Sequence, residues 1–139
     1  MSNESIIVPR GKARNGSLTT QVRDYSGLRF ERNITPTDID GFVEFWDKLF
    51  VWIEAKVTGT ELHYGQRLAL ERQCDAVAQT GRMAVVLVID HDTPPEDDID
   101  FATCPVRAYR YNKAWGEPRE PITCKAAIDK LLEQADIPL

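Results

Sequence analysis

The chain of 139 residues is poor in the side chains and strings on which most enzyme signatures rest. Its 3 cysteines, Cys74, Cys104 and Cys124, form no CxxC pair and make an odd total, so neither a zinc ribbon nor a disulfide framework is expected, and a cytoplasmic location fits. With 2 histidines and no GxSxG, Walker-type or GxGxxG string, the usual signals of a triad hydrolase, an NTPase or a dinucleotide enzyme are missing. The longest apolar run, MAVVLVI at 83–89, is far too short to cross a bilayer, and the opening MSNESIIVPR has no apolar signal core. No membrane partner is expected. If the chain is an enzyme, its polar chemistry must come mainly from carboxylates and lysines.

Those are plentiful, with 22 Asp plus Glu against 17 Lys plus Arg and a net charge of −5. A hydrophobic share of 42% is ordinary for a globular chain, and the length suits one domain with one real core. The charge is unevenly spread. Asp90, Asp92, Glu96, Asp97, Asp98 and Asp100 form an acidic block without a cation; setting it aside leaves 17 basic residues against 16 acidic ones. From Arg10 to Arg32, the bases Arg10, Lys12, Arg14, Arg23, Arg29 and Arg32 face only Asp24 and Glu31. A basic face for phosphates is compatible with the low overall charge.

Residues 1–16 lack periodicity and read as a flexible basic arm, followed by a single domain over 17–139. Leu18, Val22 and Tyr25 recur at helical spacing and predict a short helix within 17–32. The stretch DIDGFVEFWDKLFVWIEAK (38–56) alternates apolar and polar residues around a break at Asp47 and Lys48, which predicts an antiparallel hairpin. A helix is expected over 62–80, with Gly81 as its stop, and MAVVLVIDH reads as a strand buried on both faces. TPPEDDID is a loop, VRAYRYNKAW (106–115) a further strand, and 122–135 a helix with Thr123 as N-cap. The order helix, strand, strand, helix, strand, strand, helix implies an α/β sandwich with a mixed central sheet flanked by helices.

In the hairpin, Glu54 and Lys56 share one face of the second strand, and Asp38, Asp40, Phe42 and Glu44 share one face of the first. An odd loop centred on Asp47 sets Asp40 opposite Glu54 and Asp38 opposite Lys56; an even loop would put them on opposite faces. In the odd register two carboxylates and an ammonium converge within about 5 Å between neighbouring Cβ atoms. Clustered carboxylates repel, and a hard cation such as Mg²⁺ relieves this while keeping waters for catalysis. The alternative is a surface hairpin whose Asp40, Glu54 and Lys56 simply pair in solvent.

TPTDIDGF followed by FVWIEAK, and then by YGQRLALER on a helix, resembles the PD-(D/E)XK nuclease superfamily, and in particular its small bacteriophage-encoded and Holliday-junction-resolvase-like members. The resemblance covers roughly 34–90. It implies a restriction-endonuclease-like fold and an Mg²⁺-dependent (alternatively Mn²⁺-dependent) DNA endonuclease, with Asp40 and Glu54 as metal ligands and Lys56 assisting the attacking water. It also implies that Gln66 reaches the site from the helix. Gln66 stands four, eight and eleven residues before Leu70, Cys74 and Val77, on the core-facing stripe, although a polar residue at a fraying first turn would look the same. Asp38 imitates the PD dipeptide with one residue inserted and is a candidate additional metal carboxylate. Glu31 is the nearest match to an acidic residue of the first helix, but RFERNIT reads as a helix end or extended chain.

Asp90, His91 and Asp92 end the buried strand and read as a hydrogen-bonded, solvated strand end. Trp46, Trp52 and Trp115 could stack on bases, with hairpin or core packing the better reading for Trp52. Arg67, Arg72, Arg107, Arg110 and Lys113 could form a phosphate track, except that Arg107 is out of step with the other two on its strand. The expectation is a metal-dependent endonuclease on branched or otherwise structured DNA, phage-encoded and acting as a homodimer with two sites. The alternatives are a non-catalytic nucleic-acid- or protein-binding module on the same scaffold, and a purely structural phage component.

Overall fold

The computed structural model describes residues 23–138. The chain divides into two units, Met1–Pro36 and Thr37–Leu139. In the first, the described residues form two single 3-10 turns, Ser26–Leu28 and Glu31–Asn33, so the expected helix does not extend through 26–32. The Asp24 side chain accepts from the Ser26 N–H at 2.9 Å, a local bond that competes with helix. Arg32 and Asn33 take left-handed backbone at φ 61° and 62°, which no helix continues. The expected arm at 1–16 and the start of the expected helix lie outside the described residues.

The second unit is an α/β arrangement built on a five-stranded mixed sheet in the order β1-β2-β3-β4-β5. β1 (Gly41–Phe45) and β2 (Leu49–Val57) form the expected hairpin. α1 (Tyr64–Ala78) then crosses over to β3 (Met83–His91), which lies parallel to β2. Gly81, at φ 89°, makes the left-handed turn that lets the chain leave the helix. β4 (Val106–Tyr111) and β5 (Ala114–Gly116) complete the sheet antiparallel, and α2 (Cys124–Gln134) closes the chain.

Two cores explain why β2 and β3 read as they do. Leu49, Val51 and Ile53 point with Val85, Leu87 and Ile89 toward Cys124 and Leu132 of α2. Trp52 points with Ala84, Val86 and Val88 toward Leu70 and Cys74 of α1. β3 is therefore buried at every position from Ala84 to Ile89, as a continuous apolar run requires. The Thr123 hydroxyl accepts from the Ala126 N–H at 3.2 Å, the N-cap that the sequence indicated.

The expected single strand over 106–115 is instead a tight hairpin. Asn112 and Lys113 both have positive φ, 54° and 65°, the signature of a two-residue primed turn. All three cysteines are buried and free. No helix among the described residues is long and apolar enough to cross a membrane.

Candidate functional site

The register of the first hairpin decides the geometry of the site. Phe45 pairs with Leu49 and Gly41 with Ile53, so the loop is Trp46, Asp47 and Lys48, centred on Asp47. Asp47 is fixed by Arg82, whose Nε and Nη2 donate to its two carboxylate oxygens at 2.8 and 2.7 Å. This is the odd register. One step beyond Gly41, the Asp40 side chain turns onto β2, where Oδ2 accepts from the Ala55 N–H at 2.8 Å.

Glu54 faces the same side as Trp52, beneath α1, and is only 2% exposed. It is the one charged residue in the buried set of the described chain. Gln66, on the first turns of α1, donates from Nε2 to Glu54 Oε1 at 2.6 Å. Glu54 Oε2 and Gln66 Oε1 are both buried without a hydrogen-bond partner among the described residues. Burial, followed by a side-chain hydrogen bond with Asp40 and then the charge of that carboxylate, pushes the Glu54 carboxyl up to about 7, against the opposing influence of Lys56 and Gln66. Lys56 lies half-buried two residues along the same face of β2.

The structure thus brings together Asp40, Glu54, Lys56 and Gln66. Asp38 stays exposed on the approach to β1. No three His, Cys, Asp or Glu side chains among the described residues are grouped so as to hold a metal, while the Asp40 and Glu54 carboxylates stand side by side. Asp40 and Asp38 differ in position: Asp40 adjoins the strand and is pulled onto β2 by the Ala55 N–H, while Asp38 lies two residues earlier, before the pairing begins, and keeps to the surface. Glu31 is exposed in a 3-10 turn of the other unit.

An open cleft of about 510 Å³ begins at Asp40 and runs along Phe42, Phe50 and Trp52 toward Gln73 and Val77 of α1. Phe42 and Trp52 pack in a tilted pair with ring centroids 5.2 Å apart, and half of Phe42 remains exposed. Trp52 is core, as expected. Trp46 stands exposed at the hairpin tip.

The phosphate track does not hold as a set. Arg110 is turned to α1, where its Nε and Nη2 donate to Asp75 at 2.9 and 2.7 Å, and only 12% of its side chain is exposed. Trp115 donates from its indole N–H to Glu71 and packs beneath Arg110, which makes it structural too. Arg107 behaves differently. Val88 pairs with Ala108 but Ile89 with Val106, so β4 carries one extra residue here, and that residue is Arg107. The bulge swings its side chain to Asp90 at the end of β3, with Nε donating to Oδ1 at 2.7 Å. Arg107 was out of step in the sequence for this reason, and a broken alternation was the available signal of a bulge. His91 is also satisfied, its Nδ1 accepting from the Thr93 N–H at 3.2 Å.

No protein-family model matches the chain, and neither the curated proteins nor the solved structures yield a match.

Proposed function

We propose that the chain is a divalent-metal-dependent endonuclease that hydrolyses phosphodiester bonds in DNA. The observation that carries this reading is the buried carboxylate of Glu54: 2% exposed, in contact with the Asp40 carboxylate, with Oε2 meeting no donor among the described residues. Leaving such an acceptor unpaired in the interior costs about 1–3 kcal/mol, more when it is charged. A proton or a cation removes that penalty, and oxygen-only donors of this kind suit Mg²⁺ or Mn²⁺. Asp40 and Glu54 would hold the ion, completed by water, and Asp38, two residues before Asp40, is the candidate further carboxylate. When bound, such an ion lowers the pKa of a coordinated water and neutralises charge on a phosphodiester.

The remaining roles belong to the chain itself. Gln66 pins Glu54 Oε1 and so fixes the direction of Oε2. The Ala55 N–H does the same for Asp40. The Lys56 ammonium lies on the same face, where it balances the carboxylates and can orient a water or a phosphate oxygen. Branched or structured DNA as substrate, a phage origin, a cytoplasmic location and a homodimer are carried over from the sequence resemblance.

The test is cleavage of labelled duplex, single-strand, flap and four-way-junction DNA with Mg²⁺, Mn²⁺ or EDTA, with Lys56→Ala as control. Metal-dependent cutting that vanishes in the variant supports the reading. A folded protein that binds DNA and cuts none of the substrates would leave the non-catalytic scaffold in its place.

A further inference from the structure

Four neighbouring strands each present a charged side chain at the same end of the sheet: Asp40 ahead of β1, Glu54 and Lys56 on β2, Asp90 on β3, and Arg107 on β4. Lys56 pairs with Asp90 in the β2–β3 register, so the two stand on one face, and the β4 bulge brings Arg107 to that same Asp90. Both Nε and Nη2 of Arg107 approach Asp90 Oδ1, at 2.7 and 2.6 Å, and Nη2 also reaches the Val57 carbonyl at 3.4 Å. Nη1 makes no hydrogen bond among the described residues, and 27% of the side chain is exposed.

Arg110 of the sheet and Arg82, just ahead of β3, are committed elsewhere. Arg110 is closed in by Asp75 and Glu71, and Arg82 holds Asp47 at the hairpin tip, the opposite end of β2. An arginine that is oriented by a carboxylate and a carbonyl, yet keeps an open edge, is pre-organised for a second anion. From β2 to β4 is two strand spacings, about 10 Å, or roughly one to two nucleotides of a DNA strand.

We propose that Arg107, aimed by the bulge and held by Asp90, binds a backbone phosphate of the substrate one or two nucleotides from the bond cut at Asp40 and Glu54. This rests on the nuclease reading and adds to it a phosphate subsite and a direction, with the strand running across the sheet end from β2 to β4. Asp90 is a positioning residue. It keeps the guanidinium on this face, and removal of Arg107 uncovers its charge against the incoming phosphate.

The experiment measures binding of a labelled DNA duplex and a labelled four-way junction by fluorescence anisotropy, with Ca²⁺ in place of Mg²⁺, over a range of salt. Arg107→Ala is expected to bind about tenfold more weakly on every sequence and to lower the slope of log K against log salt by about one. Arg107→Lys keeps the charge and loses the fork, so its slope stays as in the wild type while its affinity falls. A purely structural ion pair predicts the reverse pattern, with a lower melting temperature in Arg107→Ala and wild-type affinity and slope in the Lys variant; that result overturns the subsite. Should Arg107→Ala not fold, the Lys variant decides alone. Wild-type protein that binds neither DNA overturns the nuclease reading together with the subsite. Wild-type binding retained in both variants removes the subsite alone.

Discussion

Replacing Glu54 by Gln separates the demands of folding from those of the site. The carboxyl stands at about 7 against an ordinary 4.5. For an acid whose folded pKa is raised, the native state binds more protons than the unfolded state between those two values. Stability from this group is therefore full below pH 4.5 and is lost as the pH rises through 7. At about 1.4 kcal/mol per unit of pKa, the loss approaches about 3 kcal/mol at pH 8. The substituted amide keeps the shape and carries no charge, and its NH₂ can donate toward Asp40 or toward the orphaned Gln66 Oε1. In EDTA at pH 8, Glu54→Gln should be more stable than the wild type by up to about 3 kcal/mol, a shift of about 1–2 M in the urea midpoint. At pH 5 the two proteins should lie close together. Asp24, Asp47 and Asp75, whose carboxyls are lowered below 3.8, lose their stabilising contributions only at more acid pH, so the window from 5 to 8 isolates Glu54.

Mg²⁺ supplies the second half of the experiment. At a hundred times its Kd a ligand specific for the folded state adds about 2.7 kcal/mol. The wild type should gain this at pH 8 and the variant should not, so the order of stabilities narrows or inverts while cleavage is abolished. A variant no more stable than the wild type at pH 8 in EDTA would refute the account of Glu54. Equal stabilisation of both proteins by Mg²⁺ would refute Glu54 as a ligand.

Three further outcomes follow from the fold. Lys113 holds φ at 65°, so Lys113→Gly should raise stability by about 0.5–1 kcal/mol in urea denaturation, and a loss would contradict the primed turn. Arg110→Ala removes a largely buried partner of Asp75 and should destabilise by about 2–3 kcal/mol with no change in the salt dependence of DNA binding, which a calorimetric scan and an anisotropy titration check together. Thr123→Ala deletes the cap of α2 and should cost about 1 kcal/mol by the same denaturation assay, with Ser restoring most of it.

The parts of this fold that were legible in the sequence are those where one local rule acts alone. The β1–β2 hairpin announces itself through alternation, and β3 through an apolar run too short for anything but a doubly buried strand. Gln66 could be placed because its spacing to Leu70 and Cys74 is helical, and the structure sets it on Glu54. Legibility failed where two local rules compete. Over 17–32 the spacing of Leu18, Val22 and Tyr25 suggested a helix; of that stretch only 23–32 is described, and there the Asp24 side chain and the left-handed Arg32 favour turns. In VRAYRYNKAW two consecutive polar residues, Asn112 and Lys113, are the one trace of the reversal, without the glycine that usually marks a two-residue turn. The register of Arg107 depends on a bulge opposite Val88 and Ile89, residues some twenty positions away in the chain.

Position 54 carries the functional argument because the fold itself does not need a carboxylate there. Its register partner is Val88, its neighbour on the same face is Trp52, and Leu70 and Cys74 roof this side of the sheet. Each of these surroundings favours an apolar side chain. The Arg110–Asp75 pair, formed between β4 and the same helix, shows how this protein treats charge when only architecture is at stake: both ends are matched, and the carboxylate keeps contact with solvent. Glu54 is handled in the opposite way. One oxygen is pinned by an amide, the other meets no donor among the described residues, and a second carboxylate is pulled alongside by a backbone N–H. On the proposed metal reading, such an arrangement lowers the stability of the empty protein at neutral pH and a bound cation would restore it, the trade expected where binding, rather than folding, sets the residue.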